Sequence, residues 1–202
     1  MKKLIATAAF VLCALTAYAA PVNIVFTSFN QGLWQLGFPY TATINGTPDV
    51  EVMCDDWAHG GLPGQTWQAN YTDLGTGNLS LLRFNQLPNA LTLYEKAGWL
   101  LLETRVTPYT EWTDINIAVW YTFDNSAPLT SGAIAWLNLA QQEANLGFPG
   151  VNFHDVAVYT PTDQYDSNPE GPQELLHPVP EPATIALLAG GLLGVWGRRK
   201  LV

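Results

Sequence analysis

One stretch gathers most of the side chains able to do chemistry: Val50-Glu51-Val52-Met53-Cys54-Asp55-Asp56-Trp57-Ala58-His59-Gly60-Gly61. A thiol needs a base to become a nucleophile, and two histidines are candidates. His59 follows Cys54 by five residues in a glycine-rich loop able to fold back, whereas His154 lies far along the chain. Spacing fixes neither as a partner, and a solvated imidazole is the commoner explanation of each. For Cys54 itself the commoner state is a small buried apolar residue, inert and unpaired. Asp55 and Asp56 with Glu51, and the loop Asp163-Gln164-Tyr165-Asp166, offer oxygens to Ca²⁺. Neither follows the spacing of a calcium loop, so a solvated acidic surface is the better reading and no metal or cofactor is expected. Trp34, Trp57, Trp67 and Trp112 could stack on sugars, although core and rim packing accounts for most tryptophans.

Cys54 must be carried by a strand. Tyr40-Thr41-Ala42-Thr43-Ile44, the pair Asn45-Gly46, and Thr47 to Cys54 form a hairpin signature, with Asn-Gly supplying the positive φ angles of a type I′ turn. Val50, Val52 and Cys54 alternate onto one face, which points the thiol inward at a strand end. Trp67, Ala69 and Tyr71 alternate similarly. The second half reads as helical: Leu87, Ala90, Leu91, Tyr94, Ala97, Gly98 and Leu101 follow the i, i+3, i+4, i+7 rule. Thr113 is the expected N-cap of a second helix carrying Ile115, Ala118, Val119 and Phe123. Ser131 is expected to cap a third, with Ile134, Leu137, Leu139 and Ala140 inside and Gly147 stopping it. Val156–Thr160 reads as a closing strand. N-terminal antiparallel strands and hairpins, about three helices and a closing strand make an α+β domain, expected over residues 20–165. Residues 166–178, rich in Pro, Gly and polar groups, read as an extended linker.

The two ends differ in kind from this body. Lys2 and Lys3 precede an uninterrupted apolar run from Leu4 to about Leu15, and Thr16-Ala17-Tyr18-Ala19 sets small residues, Ala17 and Ala19, where a signal peptidase reads. Residues 1–19 are therefore expected as a secretory signal helix, cut after Ala19 and too short for a permanent span. Cys13 lies in that run behind Leu12, which is not the small residue a lipoprotein signal requires. Cleavage would leave Cys54 as the one cysteine, with no intramolecular disulfide. At the other end, over 179–202, Val179-Pro180-Glu181-Pro182 precedes the apolar run Ala183 to Trp196 and the basic cluster Arg198-Arg199-Lys200. A rigid proline pair, a short apolar helix and three cations kept on the cytoplasmic side make a stop-transfer tail. Such a C-terminal membrane helix would reach about 21 Å against a core of roughly 30 Å, so arginine snorkelling and local thinning must make up the difference.

That order of elements resembles the PEP-CTERM sorting signal of Gram-negative, exopolysaccharide-producing bacteria. The resemblance implies an exported protein held as an inner-membrane-anchored intermediate until an exosortase recognises Pro180-Glu181-Pro182 and cleaves nearby. Delivery to the cell surface or extracellular matrix follows from it, with exopolysaccharide as an eventual partner.

Within the body, the Cys54 segment and the downstream Ile115-Asn116-Ile117-Ala118-Val119-Trp120 resemble the thioester domains of bacterial surface adhesins. In that family a strand-end Cys meets a Gln in a Gln-x-Ala-Ile-Trp helix. The thiol displaces ammonia from the carboxamide, and the internal thioester captures a nucleophile on the target surface. Here Cys54 takes the Cys position and Ala118-Val119-Trp120 the Ala-Ile-Trp element, but Asn116 stands where the Gln should be, and Met53 replaces the usual aromatic before the Cys. One methylene fewer draws the acyl carbon back by about 1.5 Å, where reaction geometry tolerates roughly 0.5 Å. The resemblance therefore implies the scaffold without the bond. For Asn116 the plainer alternative is a helix-face amide bonded to neighbouring backbone.

Composition narrows the function further. The 202 residues hold 8 Lys+Arg against 17 Asp+Glu, a formal net charge of −9. Between the terminal basic clusters the only cations are Arg83, Lys96 and Arg105, while every acid lies inside that span. So acidic a body repels phosphate backbones, which excludes nucleic acid as a partner, and it argues against peripheral docking on anionic membranes. The length rules out a multidomain enzyme. The expected body is a non-catalytic interaction or structural ectodomain. Its rivals are a covalent adhesin using Cys54 and Asn116, a Cys–His hydrolase and a carbohydrate-binding module.

Overall fold

The computed structural model describes residues 20–28, 38–163 and 171–179. Residues 1–19 with Ala17 and Ala19, Trp34, Pro180, Glu181, Pro182 and the cluster Arg198, Arg199 and Lys200 lie outside the described residues. The described chain is α+β. Strands β1 (Val22–Ser28), β2 (Tyr40–Ile44), β3 (Thr47–Cys54) and β4 (Thr66–Asp73) come first. Helices α1 (Ala90–Glu103), α2 (Trp112–Phe123) and α3 (Ser131–Leu146) follow, then strands β5 (Val156–Pro161) and β6 (Leu175–Pro178). Among the described residues no helix is long and apolar enough to cross a membrane.

The six strands close into a barrel in the order β1-β2-β3-β6-β5-β4, every neighbour antiparallel. Asn45 and Gly46 have φ of 48° and 83°, so the expected primed turn joins β2 to β3. Alternation fills the barrel: Ile24 and Phe26 from β1, Tyr40, Ala42 and Ile44 from β2, Val52 and Cys54 from β3, Trp67 and Ala69 from β4. Phe26 stacks 6.5 Å from Trp67 and lies 5.9 Å from Tyr40, ring centre to ring centre. Burying each such side chain contributes about 1.5–3 kcal/mol. Tyr71 breaks the expected alternation of β4: it is half-exposed and its neighbour Thr72 is buried instead. Tyr71 packs on Tyr159 of β5 at 5.8 Å, outside the barrel.

The last strand corrects the expected linker. Residues 171–179 belong to the fold, and β6 inserts between β3 and β5, pairing Leu175 with Cys54 and Tyr159, and Leu176 with Met53 and Val158. Leu175 and Leu176 are fully buried. Pro and Gly upstream disguise a strand only four residues long, whose sequence is too short to show a period.

Because neighbours are antiparallel throughout, the barrel has two distinct ends. One carries the ends of β1, β3 and β5 and the starts of β2, β4 and β6, and so holds Ser28, Cys54 and Leu175. The other carries the start of β1, the β2–β3 turn, the end of β4 and the exit of β6, so the described chain enters and leaves the barrel at the same end.

The helices cover β3 and β6. In α2 every residue from Ile115 to Trp120 is buried, because α1 and α3 flank it and β3 lies beneath. Its expected cap is corrected: a 3-10 turn over Tyr109–Glu111 feeds straight into the helix, which starts at Trp112, before Thr113. In α3 the cap is Thr130 rather than Ser131, its Oγ1 accepting from the Ala133 N–H at 3.0 Å. The helix therefore turns Ala133 and Ala140 inward and leaves Ile134 and Leu139 largely exposed, against expectation. Gly147 ends it as expected, at φ 74°. Small residues face α2 because the two helices approach closely: a Cβ on Gly132 would overlap the Asp114 carboxylate, which itself accepts from Thr130 Oγ1. Gly132→Ala should push the Asp114 carboxylate off Thr130 Oγ1, a loss that alanine's helix preference offsets in part, so that the thermal midpoint measured by circular dichroism falls by no more than about 4 °C.

Candidate functional site

β3 ends where α2 and the approach to β6 converge, and the residues just past its end are buried rather than solvated. Asp55 is fully buried and Asp56 is 1% exposed. The acidic surface expected around them is thus internal, while Glu51 is exposed on β3 and stands apart. Among the described residues no group of three or more His, Cys, Asp or Glu side chains is placed to hold a metal ion.

A second carboxylate, Glu174, comes to the same place from the segment leading into β6, also fully buried. Its Oε1 accepts from the Tyr94 hydroxyl of α1, and its Oε2 accepts from Thr160 Oγ1 of β5 and, at 2.9 Å, from the Arg83 N–H. Asp55 is treated differently: neither oxygen receives a conventional donor among the described residues, and the carboxyl group interacts with Glu174 instead. Two buried carboxylates face one another without ionising together when one keeps a proton. Burial pushes Asp55 well above the usual carboxylate range, and the charges of Glu174 and Asp56 push it the same way, with Arg83 opposing. Burial likewise raises Glu174, against the hydrogen bonds it accepts from Thr160, Tyr94 and Arg83.

Asp56 carries the compensating ion pair. Arg83 donates through Nη1 to Asp56 Oδ2 and through Nη2 to the Pro172 carbonyl at 3.0 Å, with its side chain 7% exposed. His59 Nδ1 lies 3.0 Å from Asp56 Oδ1 and 2.8 Å from Arg83 Nη1, and the His59 carbonyl accepts from Gln173 Nε2. Arg83, Tyr94, Gln173 and Glu174 were not singled out by sequence reading. Arg83, one of only three cations in an acidic body, was the one signal available.

The expected pair does meet. Cys54 and Asn116 are both 0% exposed, and Asn116 Nδ2 donates to the Cys54 carbonyl at 2.8 Å, while its Oδ1 has no partner among the described residues. The thiol donates to the Asp56 carbonyl at 3.3 Å, and the Asp56 N–H points back at the sulfur at the same distance. Burial pushes the Cys54 thiol well up, and the charges of Asp56 and Asp55 raise it further; the Asp56 N–H and the Trp120 indole oppose this. A thiol in this state is a poor nucleophile. His154 is held at the other end of the barrel by Asp73, 2.9 Å from its Nδ1. Of the candidate sugar platforms, Trp67 is buried, Trp57 packs on Trp120 at 5.0 Å, and Trp112 packs on Phe38 at 5.1 Å.

The buried carboxyls fix a pH dependence. A folded-state pKa above the unfolded one means that the folded chain holds the proton more tightly. That stability is full below the ordinary carboxylate value of about 4 and is lost as pH rises toward the raised value. Thermal midpoints should therefore fall as pH rises above about 4, and Asp55→Asn, which mimics the neutral acid, should flatten that slope. An Asp55→Asn slope identical to the parent would show that the pair does not hold the proton.

No curated protein matches the chain. Two solved structures with similar folds are bacterial. The N-terminal thioester domain of the fibronectin-binding protein SfbI from Streptococcus pyogenes is 10% identical, with a TM-score of 0.48, covering 81% of this chain and 95% of that one. The N-terminal domain of the Streptococcus pyogenes pilus tip adhesin Cpa is 10% identical, with a TM-score of 0.44, covering 78% of this chain and 93% of that one. At those values the likeness carries no inference about chemistry. The informative match is at the C-terminus: residues 178–200 match the PEP-CTERM protein-sorting motif, starting at the last residue of β6. The chain therefore carries an exosortase sorting tail, and with it the character of an exported protein that transits the membrane.

Proposed function

We propose that this chain is a cell-surface or extracellular-matrix protein of a Gram-negative bacterium, delivered by signal-peptide export and exosortase sorting. Its barrel-and-helix body serves a structural or interaction role without catalysis, with exopolysaccharide as a candidate partner. The observation that carries the reading is the sorting motif at residues 178–200, joined directly to the folded body at Pro178. The absence of catalysis is supported by how the reactive groups are held. The Cys54 thiol is buried and raised in pKa, and the His59 ring is engaged by Asp56 and Arg83. Pulse-labelling in a host with an intact sorting system should reveal two shortenings, one at each end. Replacing Pro180 and Pro182 by alanine should abolish only the C-terminal one and trap the chain in the membrane fraction. Normal C-terminal processing of that double variant would refute the sorting role of the motif.

A second reading, a covalent adhesin, is favoured by one observation: Asn116 donates to the backbone of Cys54 in a buried setting. Closure would join Cys54 Sγ to the Asn116 side-chain carbonyl carbon and expel ammonia, the thiol proton leaving with the amide nitrogen. Intact mass reads this directly, because closure removes about 17 Da. The expected result is the unmodified mass, with Cys54 alkylated only after denaturation. A deficit of about 17 Da that methylamine converts into a gain of about 14 Da at Asn116 would establish the thioester instead.

A further inference from the structure

The sorting motif does not hang from a spacer. Val179, its second residue, is fixed to the body through both backbone polar groups: its N–H donates to the Asp155 carbonyl at 2.8 Å, and its carbonyl accepts from Arg105 Nη2 at 3.0 Å. The apolar run begins at Ala183. Even fully extended, the chain from Val179 to Ala183 spans no more than about 14 Å. The headgroup layer on each side of a bilayer already occupies roughly 5–8 Å of that. With the tail embedded, the body has almost no room to stand away from the membrane.

We propose that the barrel end from which the tail leaves docks on the lipid headgroup layer through Arg105, Val106 and Tyr109; the proposal rests on the tail reading given above. These residues follow α1 directly, and Arg105 is the residue that binds Val179, so the segment sits at the point of exit. Val106 is 80% exposed, and Tyr109 is 49% exposed with its ring 4.9 Å from that of Trp112. Single exposed apolar residues are ordinary. What distinguishes this trio is a cation, an aliphatic tip and a braced tyrosine beside a membrane tether, the side-chain chemistry of the bilayer interface. Glu103 and Glu111 flank the same segment and outnumber Arg105. The contact therefore suits zwitterionic headgroups and depends on the tether, consistent with an acidic body that would not seek an anionic membrane alone.

The test uses the full chain with its tail, reconstituted into phosphatidylcholine vesicles, with a benzophenone amino acid replacing Val106. A parallel sample carries it in place of Leu62, which is 42% exposed in the β3–β4 loop at the other end of the barrel. Illumination should give lipid adducts at position 106 and none at position 62. A ten-residue Gly-Ser spacer between Val179 and Pro180 should lower the adduct yield by about tenfold or more, because the effective concentration at the surface falls. Flotation with vesicles but no adduct at 106, or equal adducts at both positions, overturns the docking face alone. An adduct unchanged by the spacer overturns the tether argument, and adducts formed at 106 only when exosortase is added assign the face to that enzyme. Failure to float at all overturns the tail reading, and the docking with it.

Discussion

A hydrogen-bonded carboxylate with no access to water, Glu174, fastens the C-terminal strand to everything else. It draws its donors from α1, from β5 and from the Arg83 main chain, three parts of the chain far apart in sequence. Removing any donor would leave a buried acceptor short of partners, which costs about 1–3 kcal/mol, more where charge is involved. Asp55 adds a constraint of opposite sign, a carboxyl without conventional donors that is tolerable only when neutral or sharing a proton. Asp56 and Arg83 supply the ion pair that keeps the group near electrical balance. Without this group the entry to β6 would lose its buried polar anchor, and closure of the barrel would rest on four residues of strand and the contact of His177 with the Glu51 carbonyl.

The same burial decides what Cys54 and Asn116 can do. Folding brings a thiol-bearing residue and a carboxamide into contact, yet through the backbone carbonyl of the cysteine. Burial, and the Asp56 and Asp55 carboxylates that follow β3, raise the thiol pKa, so the features that stabilise the fold also quiet its nucleophile. An arrangement that resembles a reactive pair in sequence can thus serve as packing. The Asn116 Oδ1 stays buried without a hydrogen-bond partner among the described residues, as do both Asp55 oxygens.

Long periodic segments were legible in the sequence. The β2–β3 hairpin, the inward Cys54, the Gly147 stop and the register of α1, apart from Leu87 ahead of the helix and the exposed Leu91, follow from local chemistry that acts within a few residues. Helix starts were less legible, because Thr113 and Ser131 both had a plausible capping side chain while a 3-10 turn and Thr130 took the positions. The inner face of α3 departs from the pattern of its large aliphatics because close packing on α2 selects alanines. β6 and the carboxyl group escaped for a different reason. Their stability comes from pairings across most of the chain, Glu174 with Tyr94 or Leu175 with Cys54, and a segment rich in Pro and Gly carries no local trace of them. For the candidate site, Cys54 and Asn116 were legible as residues, and their meeting was not derivable from spacing alone.

The position of β6 has a kinetic corollary. Among the described strands it comes last in the chain, yet it fills the gap between β3 and β5, so a chain synthesised from its amino end cannot zip the cylinder shut early. Until Leu175–Pro178 is in place, β3 and β5 offer unpaired rims to any passing polypeptide. The strand that seals them runs straight into the sorting motif at residues 178–200, so completion of the barrel and presentation of that motif depend on a single stretch of backbone.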